Sequence, residues 1–294
     1  MGAQIAQVFA LSEFAVSCYD LDSEQVRRGL DLILNGRYGL KNSKERGRLE
    51  EEPGKVLSRI TPKNSIEEAC EGAFMVLEAA IEDLEVKRNI FQRASSVTNG
   101  ILASNTSTLS ISSIGNSLEP SLKSRVAGMH FFNPPQVMKL VEIVRTRETS
   151  ESTLNLIEQI ARRIGKTSVL VLDIPGFIAN RIGLSVFAEA SVLLEKQVAS
   201  ARDIDIAMRL GYGYPLGPFE LGDLVGLDSR LRNMQALFDE TGDEKFRPPE
   251  TLKKLVDAGF IGDPKTRKGS KGGYYEYFGL KRPDEDEAHT PKQS

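Results

Sequence analysis

The chain has 294 residues, enough for one large domain or two of ordinary size. With 40% hydrophobic and 27% charged residues it has ordinary globular composition, and a net charge of −3 supplies no basic surface for nucleic acid. No apolar run is long enough to span a membrane, and the opening MGAQIAQVFALSEF lacks a basic region and cleavage motif, so a cytoplasmic protein with no membrane or nucleic-acid partner is expected.

The chain opens directly in a helical pattern, Met1-Gly2-Ala3-Gln4-Ile5-Ala6, with a helix expected over 3–11. In a dinucleotide-binding unit a strand and a Gly-x-Gly-x-x-Gly turn come first, because glycine lets the backbone approach the pyrophosphate at the helix N-terminus. Gly2 stands where the last of those glycines would be. The strand and the first two glycines are missing from the sequence, and an in-frame continuation upstream is expected rather than a shortened protein. A buried strand is expected at 15–19 (AVSCY), followed by Asp20, 18 residues after Gly2. An acidic residue there accepts hydrogen bonds from the adenine ribose hydroxyls and repels a 2′-phosphate, which favours NAD over NADP. The alternative is that Asp20 caps the helix expected over 23–34. Cys18 and Cys70 lie in apolar contexts and read as inert core residues of a reducing compartment.

Residues 35–53 (NGRYGLKNSKERGRLEEEP) are too polar for a core crossover. They read either as a solvated hairpin or as part of a helical pair near 23–57 that projects from the sheet, with Arg37, Lys41 and Lys44 meeting an anionic ligand such as coenzyme A phosphates. Strands are expected at 74–79, 101–104, 126–129, 140–144 and 168–172, with helices at 85–94 and 152–164. This alternation predicts an α/β fold over 1–172, a Rossmann-type doubly wound parallel sheet whose first strand is missing. Asp173-Ile-Pro-Gly breaks the pattern. Beyond it 177–195, 201–210, 219–240 (two helices) and 250–258 are helical, giving an all-helical domain over 173–278 and a flexible tail over 279–294.

The chain holds two histidines, His130 and His289, the second in the tail. His130 follows the strand at 126–129 and so stands at a strand carboxyl end, where open α/β sheets bind ligands. Imidazole exchanges protons near neutral pH, though a satisfied structural histidine is the other reading. Glu142 interrupts the apolar strand LVEIV, and a buried carboxylate is costly unless paired. His130 is a suitable partner, which would make the two an oriented general base, although spacing does not establish contact. Ser104-Asn105-Thr106-Ser107 closes another strand, where small polar side chains hold a ligand oxygen or cap the next helix.

Ser104-Asn105-Thr106-Ser107, His130-Phe-Phe-Asn-Pro and Val137-Met-Lys-Leu-Val-Glu142 resemble the 3-hydroxyacyl-CoA dehydrogenases. So do Asp173-Ile-Pro-Gly-Phe-Ile-Ala-Asn180-Arg181 and Gly211-Tyr-Gly-Tyr-Pro-Leu-Gly-Pro-Phe-Glu-Leu, and the likeness runs from Gly2 to about Tyr277. The resemblance implies NAD as cofactor, an (S)-3-hydroxyacyl-CoA thioester as substrate, and a homodimer formed through the helical domain. It implies His130 as catalytic base and Glu142 as its partner, with Ser107 and Asn180 around the reacting end of the substrate. Gly2, Asp20, Glu82, Lys87 and Asn105 match the cofactor contacts, and no metal is implied. A family hydroxyl contact to coenzyme A aligns with Ile33, which cannot make it, and a lysine contact falls near Leu40 or Lys41. Lys268 is only a loose match to a C-terminal lysine. Fatty-acid β-oxidation and short-chain butyryl-type metabolism both fit. Two rivals remain: a dehydrogenase of small free β-hydroxy acids, and a non-catalytic homologue.

Overall fold

A computed structural model describes residues 1–283; the rest of the expected tail, His289 included, lies outside the described residues. The chain divides into two compact units, Met1–Phe177 and Ile178–Ser294.

The first unit runs α1 (Gly2–Leu11), β1 (Val16–Cys18), α2 (Ser23–Asn35), α3 (Leu40–Glu45), α4 (Pro53–Leu57), β2 (Ile60–Pro62), α5 (Ile66–Cys70), β3 (Met75–Glu78), α6 (Leu84–Ser95), β4 (Ile101–Ser104), α7 (Ile111–Gly115), β5 (Val126–Phe131), β6 (Leu140–Arg145), α8 (Glu151–Arg163) and β7 (Thr167–Leu172). The long helices start where a side chain satisfies their first amides: Asp22 accepts from the Glu24 amide, Asp83 from Val86 and Ser150 from Thr153. Asp22 rather than Asp20 therefore caps α2. Asp20 is exposed, and its carboxylate accepts the Asp22 amide at 3.4 Å.

The strands form two groups, a parallel pair β1-β2 and a five-stranded sheet ordered β3-β4-β5-β6-β7. Phe14, before β1, and Phe74, before β3, bring their rings to 5.9 Å, and both groups pack on a core that includes Ile5, Val8 and Phe9 of α1. The sheet is parallel except that β5 and β6 run antiparallel. The sheet is thus the parallel-dominated one expected, with an antiparallel step that the strand-helix alternation does not show. The connection 132–139 is too short for a crossover, which needs a dozen or more residues, so the chain turns back on itself.

Residues 23–57 pack on α1 through a small core of their own. Ile33, Leu40 and Val56 are almost fully buried against Ala6 and Ala10. The polar stretch is thus a helical excursion pinned by a few apolar residues. Lys44 is engaged with Glu52 and the Glu50 carbonyl, whereas Arg37 and Lys41 are exposed.

The second unit is helical: α9 (Ala179–Glu195), α10 (Ala201–Tyr212), α11 (Pro218–Val225), α12 (Leu227–Thr241), α13 (Glu250–Asp257) and α14 (Tyr274–Phe278). The break between α11 and α12 falls at Gly226, whose φ of 107° an L side chain rarely adopts. Asp205 of α10 explains the Gly-Pro-Phe-Glu motif: its buried carboxylate accepts the amides of Phe219 and Glu220 and the Tyr275 hydroxyl. Of the stretch expected as a tail, residues 279–283 are described. Leu280 packs on the helical core, and Arg282 bonds to Asp223 and Glu276. No helix among the described residues is long and apolar enough to cross a membrane.

Candidate active site

The antiparallel pairing of β5 and β6 puts His130 directly opposite Glu142. Side chains opposite one another on such a ladder meet, and here Nδ1 of His130 lies 2.8 Å from Oε2 of Glu142. The side chains are 7% and 0% exposed, so the carboxylate has little water to compete for the bond. An ionised carboxylate only accepts, so Nδ1 is the donor, and in the neutral imidazole Nε2 then carries the lone pair. His130 thus lies inside β5, one residue before its end, and not after the strand as the sequence suggested; pairing with β6 carries the strand two residues past Met129.

Two aromatic rings border the imidazole, Phe132 at 4.7 Å and Phe177 at 5.7 Å between centroids. Phe177 is 1% exposed and has a φ of 49°, unusual for a bulky residue. Sequence reasoning gave it no role of its own, although it stands directly after Pro175-Gly176 inside the motif that runs from Asp173 to Arg181. Asp173 holds this segment by accepting from the Ser110 hydroxyl and the amides of Ile111 and Ser112. On the other side, Lys166 donates to the carbonyls of Pro135 and Met138 and secures the turn between β5 and β6.

Asn105 and Ser107 follow β4, the strand beside β5. The Asn105 side-chain oxygen accepts the Phe131 amide at 2.9 Å, which ties this turn to the histidine strand and leaves the amide NH₂ as what Asn105 can offer a ligand. The Ser107 amide donates to Glu82 at 3.1 Å. Glu82 also accepts from the Thr108 amide and hydroxyl and from the Thr106 hydroxyl. Burial pushes the Glu82 carboxyl up, but these hydrogen bonds and the Lys87 charge outweigh it and hold it below the ordinary range. Lys87 is 1% exposed, its ammonium held between Glu78 and Glu82. Asn180 lies in the first turn of α9, in the second unit. Ile33 and Leu40, two aligned coenzyme A positions, are core residues; Lys41 is exposed. Burial raises the Cys18 thiol and pushes that of Cys70 up to about 11, far from a reactive thiolate.

Residues at the strand ends fit a dinucleotide. No side chain caps the first turn of α1, a favourable place for a phosphate. Gly2 is exposed, with nothing nearer an added Cβ than Ala79 at 3.7 Å. The exposed Asp20 carboxylate follows β1.

A Rossmann-like sheet with a buried imidazole–carboxylate pair, followed by a helical unit, defines an oxidoreductase of the dinucleotide-dependent class. Comparison with known proteins narrows the class. Residues 1–174 match the 3-hydroxyacyl-CoA dehydrogenase NAD binding domain and residues 176–277 the C-terminal domain of that family. A probable 3-hydroxybutyryl-CoA dehydrogenase of Bacillus subtilis is 40% identical over 94% of each chain. The human mitochondrial hydroxyacyl-coenzyme A dehydrogenase is 36% identical over 94% of this chain and 88% of its own. Among solved structures, (S)-3-hydroxybutyryl-CoA dehydrogenase from Ralstonia eutropha superposes with a TM-score of 0.83 at 33% identity, covering 92% of this chain and 94% of that one. The chain belongs to the 3-hydroxyacyl-CoA dehydrogenase family, a family of NAD-dependent oxidoreductases.

Proposed function

We propose that the protein oxidises (S)-3-hydroxyacyl-CoA to 3-ketoacyl-CoA with NAD⁺, and that His130 is its general base. The observation that carries this reading is the buried 2.8 Å contact between Nδ1 of His130 and Glu142, which leaves Nε2 as the acceptor. NAD⁺, when bound, supplies the acceptor for the hydride that leaves C3. His130 takes the proton of the 3-hydroxyl at Nε2 as the C–H bond breaks. Glu142 stabilises the imidazolium that results and keeps the ring in one tautomer and orientation. In the reverse direction the imidazolium returns its proton to the ketone oxygen. Ser107 and Asn180 are assigned to the substrate oxygens, and Gly2, Asp20 and Asn105 to the cofactor. Glu82 and Lys87 stand beside these as supports of the Ser107 turn as well as cofactor candidates. Arg37 and Lys41, exposed on the excursion over residues 23–57, suit the coenzyme A phosphates.

The decisive experiment is reduction of acetoacetyl-CoA by NADH with wild-type protein and His130→Ala. The variant is expected to lose at least about a thousandfold in kcat, the combined worth of base and positioning, while staying folded with a lowered melting temperature, because Glu142 loses its buried partner. Near-normal turnover in it would refute the assignment. Free 3-hydroxy acids serve as the control substrate, and activity on them in place of the thioester would redirect the reading to that class.

The same reading makes the protein a homodimer through its second unit. Leu210, Tyr212 and Ile182 there are 74%, 77% and 59% exposed, a large apolar outlay for a lone chain. Sedimentation at micromolar concentration tests this, and a monomer would refute it.

A further inference from the structure

A buried charged cluster stands between β3 and the turn after β4, and the chemistry above makes no use of its central member. Glu78, the last residue of β3, is 3% exposed. Its carboxylate accepts from Lys87 Nζ at 2.8 and 3.0 Å, from the Ala80 amide at 2.6 Å and from the Ser104 hydroxyl at 2.5 Å. Lys87 then reaches Glu82 at 3.3 Å, and Glu82 holds the Ser107 and Thr108 amides. A second route is shorter: the Ser104 hydroxyl that donates to Glu78 accepts the Thr106 amide at 3.2 Å. Glu78 therefore grips the 104–108 turn from both sides.

A buried ion pair of this kind contributes little net stability, since desolvation offsets the Coulomb attraction. What it does supply is fixed geometry. Glu78 and Ser104 are partners in the parallel ladder between β3 and β4, so the cluster is built on a rigid part of the sheet. The Asn105 bond to Phe131 carries that rigidity across to β5, one residue from His130.

We propose that Glu78 is a positioning residue for the reaction: acting through Lys87–Glu82 and through Ser104–Thr106, it sets where the Ser107 turn stands relative to His130. The proposal rests on the reading of Ser107 as a substrate-oxygen residue, and the test separates the two. It is a double-mutant cycle on the full chain with Glu78→Gln, Ser107→Ala and the double variant, assayed with acetoacetyl-CoA and NADH. Positioning through Ser107 predicts that E78Q lowers kcat about tenfold in the wild-type background but no more than about twofold in the S107A background. A merely structural role would cost the same factor in both.

An unchanged kcat in E78Q, or equal losses in both backgrounds, overturns the proposal while leaving the Ser107 assignment in place. A near-wild-type S107A overturns the Ser107 assignment and this proposal with it. If E78Q does not fold, Ser104→Ala carries the cycle, because it deletes one hydroxyl and leaves the ion pair intact. The expected loss is then about threefold, again absent from the S107A background, and an equal loss in both overturns the proposal.

Discussion

Replacing Glu142 by glutamine keeps the volume of the buried side chain and removes its charge, so it isolates the electrostatic part of the imidazole–carboxylate pair. With Nδ1 2.8 Å from Oε2, the charge centres of an imidazolium and this carboxylate lie a little further apart. Unit charges about 4 Å apart in a medium of effective dielectric about 20 attract by about 4 kcal/mol. The amide oxygen of glutamine recovers part of that through its dipole. A net loss of about 3 kcal/mol at the transition state is about a hundredfold in kcat. If the glutamine instead turns its NH₂ toward Nδ1, the ring must carry its proton on Nε2, and the loss grows because the base is then in the wrong tautomer. Steady-state reduction of acetoacetyl-CoA, followed by the loss of NADH absorbance, reads the effect. KM should stay within about threefold, because the pair acts on a charge that exists only as the proton moves. A kcat for E142Q within about threefold of wild type would show that the carboxylate does not stabilise a cationic imidazole, and the reasoning would fail.

Other consequences follow from burial and packing. Desolvation pushes Asp223 up to about 7 and Asp205 up to about 6, well above an unfolded aspartate near 3.8. The folded chain then binds more protons than the unfolded one across that interval, so stability from these groups is fullest below about pH 4 and is lost as pH rises toward 7. The paired carboxylates Glu51 and Glu67, each lowered to about 2 by an arginine, lose their contribution only below that window. Melting temperature measured from pH 4.5 to 7 should fall less steeply in Asp223→Asn than in wild type, and an unaltered slope would count against the shift. Leu40→Ala empties a fully buried position in the small core under α2–α4 and should cost about 2–4 kcal/mol in denaturant unfolding. A loss under about 0.5 kcal/mol would mean that the excursion is not pinned there.

Much of the site was legible in the chain. A glutamate inside LVEIV asked for a partner, and only one histidine stood near a strand end. What spacing could not show was that the two touch. That depended on the 132–139 turn reversing the chain, which sets the register of β5 against β6. Other features left weak traces. The strand Ile60–Pro62 carries a proline and three residues, too little pattern to register. Phe177 gained its place beside the imidazole from a left-handed backbone that its residue type disfavours. Glu78 looked like one more acidic residue at the end of a strand, because its partners Lys87 and Ser104 come from two other elements.

By itself the sequence determined the alternation of strand and helix, the switch to an all-helical region after Asp173, and the residue types able to move a proton or hold a dinucleotide. These are local properties, set by side-chain periodicity, breakers and ionisable groups. Only the tertiary structure decided the antiparallel step, the pairing of His130 with Glu142 and the grip of Glu78 and Glu82 on the Ser107 turn. Those contacts join residues remote along the chain, and they exist because adjacent strands in the sheet place them face to face.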